Sequence, residues 1–202
     1  PKGSMKFETF QKVFDKIIKD SPNVSHLSLY SWGEPLLHPY VSEIIDYVHD
    51  KNVAVALSSN LSIKFGERIK KIIKSNPDYL KISLSGFYPK AYENTHSGGN
   101  IDLVKKNLNL IREYMDKFGS QTLVDINYHL YRDNCGENLL KMEELADDLG
   151  FIISKTHALV MPLERVMSHL DGKTDIQTSK LQNNLLVTIE EGIKASSNIK
   201  LS

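Results

Sequence analysis

Five short apolar runs, each set apart from the next by an amphipathic segment, constrain this chain more than any other feature. Strands are expected over residues 24–30, 53–58, 79–85, 123–131 and 151–154. Between them, residues 41–51 place Val41, Ile44, Ile45 and Val48 on one helical face, and residues 65–74 do the same with Phe65, Ile69, Ile72 and Ile73. Asn100 has the side chain to cap a longer helix that carries Ile101, Val104, Leu108, Ile111 and Met115. Residues 137–149 carry Leu139, Leu140, Leu145 and Leu149, and Gly150 stands where a helix ends in a left-handed turn. Ahead of the first strand, Phe7, Phe10, Phe14, Ile17 and Ile18 mark a helix over 7–18. Such alternation implies a parallel sheet joined by right-handed crossovers. An open doubly wound sheet and part of a (β/α) barrel both satisfy it, and periodicity does not separate them.

Composition narrows the function classes. With 202 residues the chain can bury a substantial core, and 41% hydrophobic with 25% charged residues is ordinary for a globular protein. Its 25 basic and 25 acidic residues cancel. The most basic stretch, residues 64–74, interleaves its five Lys and Arg with Phe65, Ile69, Ile72 and Ile73, the pattern of a solvated helix face. Nucleic acid is therefore not the expected partner, and no apolar run approaches the length of a membrane span. A single cysteine, Cys135, excludes an internal disulfide and suits a reducing, cytoplasmic location. No spacing of His, Cys, Asp and Glu suggests a metal site within these residues, and no phosphate-binding glycine loop or nucleophile elbow appears.

The first strand runs into Ser31-Trp32-Gly33-Glu34-Pro35, so a carboxylate stands at a strand tip. Barrel enzymes keep their chemistry at the carboxyl ends of their strands. Gly33 allows close approach of a ligand to the backbone and Pro35 stiffens the exit. The run resembles the Gly-Gly-Glu-Pro motif of the radical S-adenosylmethionine (SAM) enzymes, with Trp32 in place of the first glycine. Other stretches are similar to that family in the same order. Ser58-Ser59-Asn60 resembles its Thr-Asn-Gly ending, and Ile82-Ser83-Leu84-Ser85-Gly86 resembles its Ile-Ser-Leu-Asp-Gly, with Ser85 where Asp is common. Tyr92, His96, Gly98 and Gly99 before the helix at Ile101 resemble members that bear a C-terminal SPASM domain. Arg132-Asp133-Asn134 is similar to the family's Asn before its fifth helix.

The resemblance implies a partial (β/α)6 TIM-like barrel whose first strand is missing from this chain, with a core over residues 1–160 and a C-terminal helical extension over 161–202. It implies SAM as cofactor, bound by Gly33, Glu34, Pro35, Ser58, Asn60, Ser83, Ser85, His96 and Asn134. It also implies a [4Fe–4S] cluster, held by three cysteines expected upstream of Pro1, and auxiliary clusters in a SPASM-type member. A start at Pro1 after removal of an initiator Met is the alternative. The activity implied is reductive cleavage of SAM to a 5′-deoxyadenosyl radical that takes hydrogen from a peptide, sugar or small metabolite. Flavodoxin or ferredoxin would then serve as electron donor. Tyr128, His129, Arg132 and His157 are the candidate substrate contacts. In the tail, a short helix is expected from Met161 to near Asp171, and one amphipathic helix over 174–195 with Leu181, Leu185, Leu186, Ile189 and Ile193. Competing readings are a barrel relative without a cluster that acts as a binding module, and an unrelated half-barrel that binds a phosphorylated metabolite.

Overall fold

A computed structural model describes residues 3–31, 33–64, 66–96 and 98–197. Trp32, Phe65 and residues 198–202 lie outside the described residues. The helix α1 (Phe7–Asp20) precedes β1 (His26–Ser28), a 3-10 turn (Pro35–Leu37), α2 (Val41–His49) and β2 (Ala54–Ser59). There follow α3 (Glu67–Lys74), β3 (Tyr79–Leu84), α4 (Pro89–Glu93), α5 (Ile101–Phe118), β4 (Leu123–Leu130), α6 (Glu137–Leu149) and β5 (Ile152–His157). The tail forms α7 (Leu163–Leu170), α8 (Ile176–Asn184) and α9 (Ile189–Ser197).

All four strand pairings are parallel, and the sheet order is β1-β2-β3-β4-β5. A doubly wound sheet reverses its order at a switch point. This one never reverses, so right-handed crossovers put every connecting helix on the same face. The result is an arc of parallel strands with outer helices, a partial TIM-like barrel. Strand periodicity divides its residues cleanly. Val55, Leu57, Leu80, Ile82, Leu84, Val124, Ile126 and Tyr128 point to the helices and are buried there with Ile45, Val48, Ile72, Leu108 and Met142. Each such side chain contributes on the order of 1.5–3 kcal/mol of burial energy. The opposite, inner face carries Ala54, Ala56, Ser58, Tyr79, Lys81, Ser83, Asp125, Asn127 and His129. A small, polar inner face leaves room for a ligand that an apolar one would fill.

Local signals fix the ends of several elements. The Asn100 side chain accepts from Leu103 N at 3.0 Å, and Gly119 and Gly150 close α5 and α6 at φ of 67° and 65°. The single helix expected over 174–195 is instead two. Leu185 is extended (φ −73°, ψ 141°), buried, and bridged antiparallel to Tyr131. Its carbonyl accepts from Arg132 Nε at 2.7 Å. Leu185 packs with Ala158, Val160 and Ile189 in a second apolar cluster, so tertiary pairing overrides a 3.6-residue period. The restart was encoded: Thr188 and Glu191 form a reciprocal capping box at the start of α9.

Candidate functional site

Glu34 is held from several directions. As cap of the 3-10 turn its Oε1 accepts from Leu36 N at 3.1 Å. Its Oε2 accepts from Ser59 Oγ at 2.9 Å and from Asn60 N at 3.4 Å, at the tip of β2. Burial pushes the Glu34 carboxyl above its ordinary pKa, against the pull of those hydrogen bonds. No cationic side chain among the described residues pairs with it. The carboxylate borders a cavity of about 350 Å³ lined with Met5, Tyr30, Ser31 and Pro35. It also borders one of about 480 Å³ lined with Ser58, Asn60, Ser83 and His96. Gly33 lines both, and a Cβ there would meet no protein atom within 4 Å. The fold itself does not require glycine at this position.

The opposite wall of the larger cavity is built after β3. Ser85 Oγ is bonded to Thr95 Oγ1 and to His96 Nδ1, the latter at 2.8 Å. The His96 ring stacks on buried Tyr92 with centroids 4.5 Å apart and planes 7° from parallel. Burial, reinforced by nearby His129, holds the His96 pKa down to about 4, so its imidazole is neutral at physiological pH. Gly86 and Gly99 make this packing feasible: a Cβ on Gly86 would lie 2.7 Å from Tyr92 N, and one on Gly99 2.6 Å from Tyr92 Cε1.

The expected site residues therefore separate into groups. Gly33, Glu34, Ser58, Asn60, Ser83 and His96 come together around one cavity, with Pro35 beside the other. Ser85 is fully buried and positions His96 rather than facing the cavity. Asn134 is also fully buried. Its Nδ2 donates to Ser85 O and His129 O, both at 2.9 Å, and its Oδ1 accepts from Tyr131 N at 2.7 Å. Every polar atom of that side chain is committed to joining the ends of β3 and β4.

The candidate substrate contacts divide in the same way. Tyr128 faces the helices, fully buried, and its hydroxyl donates to Asn134 O at 3.1 Å. Arg132 is spent on the tail through Leu185 O. His157 pairs in register with Leu130 on the helix-facing column, next to Lys155, which meets Glu143 of α6. Of the four, only His129 is on the inner face; its Nε2 lies 3.0 Å from Asn127 Oδ1, and burial pushes its pKa down.

Sequence reading missed Ser59, Tyr30, Asn127 and Lys81. Ser59 could not be chosen over Ser58 without knowing which face each takes. Lys81 and Asn127 were detectable as polar residues on the same parity as Ser83 and His129. Cys135 is exposed, and its Sγ lies 3.5 Å from Arg132 O. With one cysteine, these 202 residues supply no ligand set for an iron–sulfur cluster, and no group of three metal-ligating side chains occurs among the described residues. No described helix is long and apolar enough to cross a membrane.

A sequentially wound partial barrel with a strand-tip Glu-Pro site defines a class, and comparison with known proteins gives the family. The model of the radical SAM superfamily matches residues 1–134, and the chain belongs to that superfamily. Among curated proteins it is similar to two described as "Probable GTP 3′,8-cyclase" from Methanococcus maripaludis. The strain C7 protein is 31% identical over 97 residues, covering 46% of this chain and 32% of the relative. The strain S2 protein is 33% identical over 81 residues, covering 39% and 26%. The chain thus spans about a third or less of these relatives. Its fold is similar to that of Streptococcus suis SuiB bound to S-adenosylmethionine, with a TM-score of 0.59 at 10% identity, covering 93% of this chain and 43% of SuiB. It is also similar to TYW1 with a lysine-pyruvate adduct bound, with a TM-score of 0.51 at 22% identity, covering 80% of this chain and 54% of TYW1.

Proposed function

We propose that these residues form the SAM-binding part of a radical SAM enzyme. The enzyme reductively cleaves SAM and uses the 5′-deoxyadenosyl radical to take hydrogen from a peptide, sugar or small-metabolite substrate. The observation that carries the reading is Glu34: a half-buried carboxylate with raised pKa, oriented by Ser59 and two backbone amides, with no protein cation. Such a group fits the ammonium of an amino acid, and charge-assisted bonding to it recovers the cost of keeping the carboxylate ionised. Gly33 gives the amino acid end room to approach the backbone. Ser58, Asn60 and Ser83 offer hydroxyl and amide groups to the carboxylate and ribose. His96, neutral and stacked on Tyr92, adds a flat polar surface that carries no charge to repel the sulfonium. The [4Fe–4S] cluster of this family supplies the electron for cleavage when bound. Within these 202 residues, with their single cysteine, the reading assigns SAM binding and no cluster ligand.

The test uses protein from the complete gene, reconstituted anaerobically with iron and sulfide. About four irons per chain and 5′-deoxyadenosine formation from SAM under a strong reductant are expected. Clearly more iron would place the protein in the SPASM-type class with auxiliary clusters. Iron-free protein that forms no deoxyadenosine would overturn the enzymatic reading in favour of a binding module. In the same preparation, Glu34→Gln is expected to weaken SAM binding by about 1–3 kcal/mol by calorimetry. Unchanged affinity would remove Glu34 from the site.

A further inference from the structure

Among the side chains of the sheet's inner face that the SAM reading does not use is a lysine. Lys81 lies in the β3 column between Tyr79 and Ser83. Ser83 lines the cavity under Glu34, and Tyr79 lines a separate cavity of about 310 Å³ with His26, Ser28, Ala54 and Ala56. Lys81 lines neither cavity itself but sits on the strand between residues that do, two residues or roughly 6–7 Å below Ser83. It is half-buried. On the flanking strands its register partners are Ser58 and Asp125.

Asp125 would be the obvious partner, and it is engaged elsewhere. Its carboxylate accepts from the Tyr79 hydroxyl, from Ser154 N at 3.0 Å and from Ser154 Oγ at 2.9 Å. Glu34, at the rim, is held by Ser59 and Asn60. Among the described residues Lys81 makes no ion pair and no side-chain hydrogen bond. The groups around it are hydroxyls, amide and imidazole: Ser58 and Ser83 on one side, Asn127 and His129 on the other, with Ser154 and Thr156 bonded to Asn127 at 2.9 Å. The Lys81 charge reaches far enough to disfavour protonation of His129. Lys81 is thus a half-buried cation with no direct ion pair among the described residues, beside an Asp125 carboxylate that neutral donors already hold, and with the hydroxyls of Ser58 and Ser83 as its neighbours.

We propose that Lys81, with the Ser58 and Ser83 hydroxyls beside it, binds a phosphate or carboxylate group of the substrate below the SAM layer. This specifies the substrate class of the function proposed above, an anionic small molecule or residue, and rests on that reading for the position of SAM. Lysine suits the task as a compact point charge on a flexible stem.

The test is calorimetric titration of the reconstituted full-length protein with inorganic phosphate, with malonate and, separately, with SAM. The variants are Lys81→Met and Lys81→Arg. One anion is expected to bind the wild type, to lose tenfold or more in affinity in Lys81→Met, and to recover most of it in Lys81→Arg. Preference for phosphate identifies a phosphorylated substrate, and preference for malonate a carboxylated one. SAM affinity is expected to match between wild type and Lys81→Met, which also shows that the variant is folded. Failure of both anions to bind the wild type, or equal binding by Lys81→Met, would overturn the proposal. Loss of SAM binding by the wild type itself would instead strike the SAM reading and leave the anion titrations to be judged separately.

Discussion

At the scale of single residues, the most informative are those whose side chains cost something to hold in place. Glu34 has a raised pKa, so its ionisation opposes folding: stability is greatest with the neutral acid and declines as pH rises through the folded value. A ligand ammonium reverses that preference. SAM affinity is expected to fall by about tenfold per pH unit below the Glu34 pKa and to level off above it, while Glu34→Gln shows a flat profile in the same calorimetric series. Gly33→Ala makes a complementary case. No protein atom stands within 4 Å of the added Cβ, so the melting temperature should scarcely change while SAM binding weakens. Asn134 is the opposite. Asn134→Ala strips partners from the buried backbone of Ser85 and the part-buried backbone of His129 and Tyr131, a cost on the order of 3 kcal/mol in denaturant unfolding. Sequence resemblance suggested a ligand contact at Asn134. The fold uses both of its N–H groups and its carbonyl to connect two strand ends.

At the scale of elements, ends were readable where the chemistry is local and not where pairing intervenes. The Asn100 cap and the glycines after α5 and α6 satisfy backbone groups within a few residues, so sequence suffices to place them. Asn100→Ala is expected to cost about 1 kcal/mol of stability in a denaturant titration, by exposing the orphan amide of Leu103. The strands of the sheet show the same logic, because an apolar run bounded by turn residues needs no distant partner to be recognised. The tail does not follow it. Leu181, Leu185, Leu186, Ile189 and Ile193 fit a helical period, yet the chain breaks at Leu185 to pair with Tyr131 and receive Arg132. Only the Thr188–Glu191 capping box hinted at the restart, and it competes poorly with a strong apolar period.

At the scale of the whole molecule, two histidines couple the inner face to pH. Both His96 and His129 have depressed pKa values in the folded state, mainly through burial. The stability they contribute is present above the unfolded value near 6.5 and is lost as pH falls, down to about 4 for His96. The melting temperature should therefore drop across that window. Subtracting the profile of His96→Asn from that of the wild type isolates the share due to His96, since other titrating groups are common to both. A flat difference would mean that the His96 proton is accommodated without cost.

Sequence by itself determined the alternation of strands and helices, the core faces of α2, α3 and α5 though not that of α6, where Leu140 is exposed, and the Trp-Gly-Glu-Pro run with its family resemblance. These follow from local periodicity, turn chemistry and residue types. Tertiary structure alone decided that the sheet winds in one direction and keeps its helices on one face. It also decided that Ser59 and not Ser58 holds Glu34, that Tyr128 and His157 belong to the helix side, and that Lys81 makes no ion pair among the described residues. The reason is geometric. Which of two adjacent residues faces inward depends on strand register, and whether a charge is satisfied depends on neighbours tens of residues away in the chain.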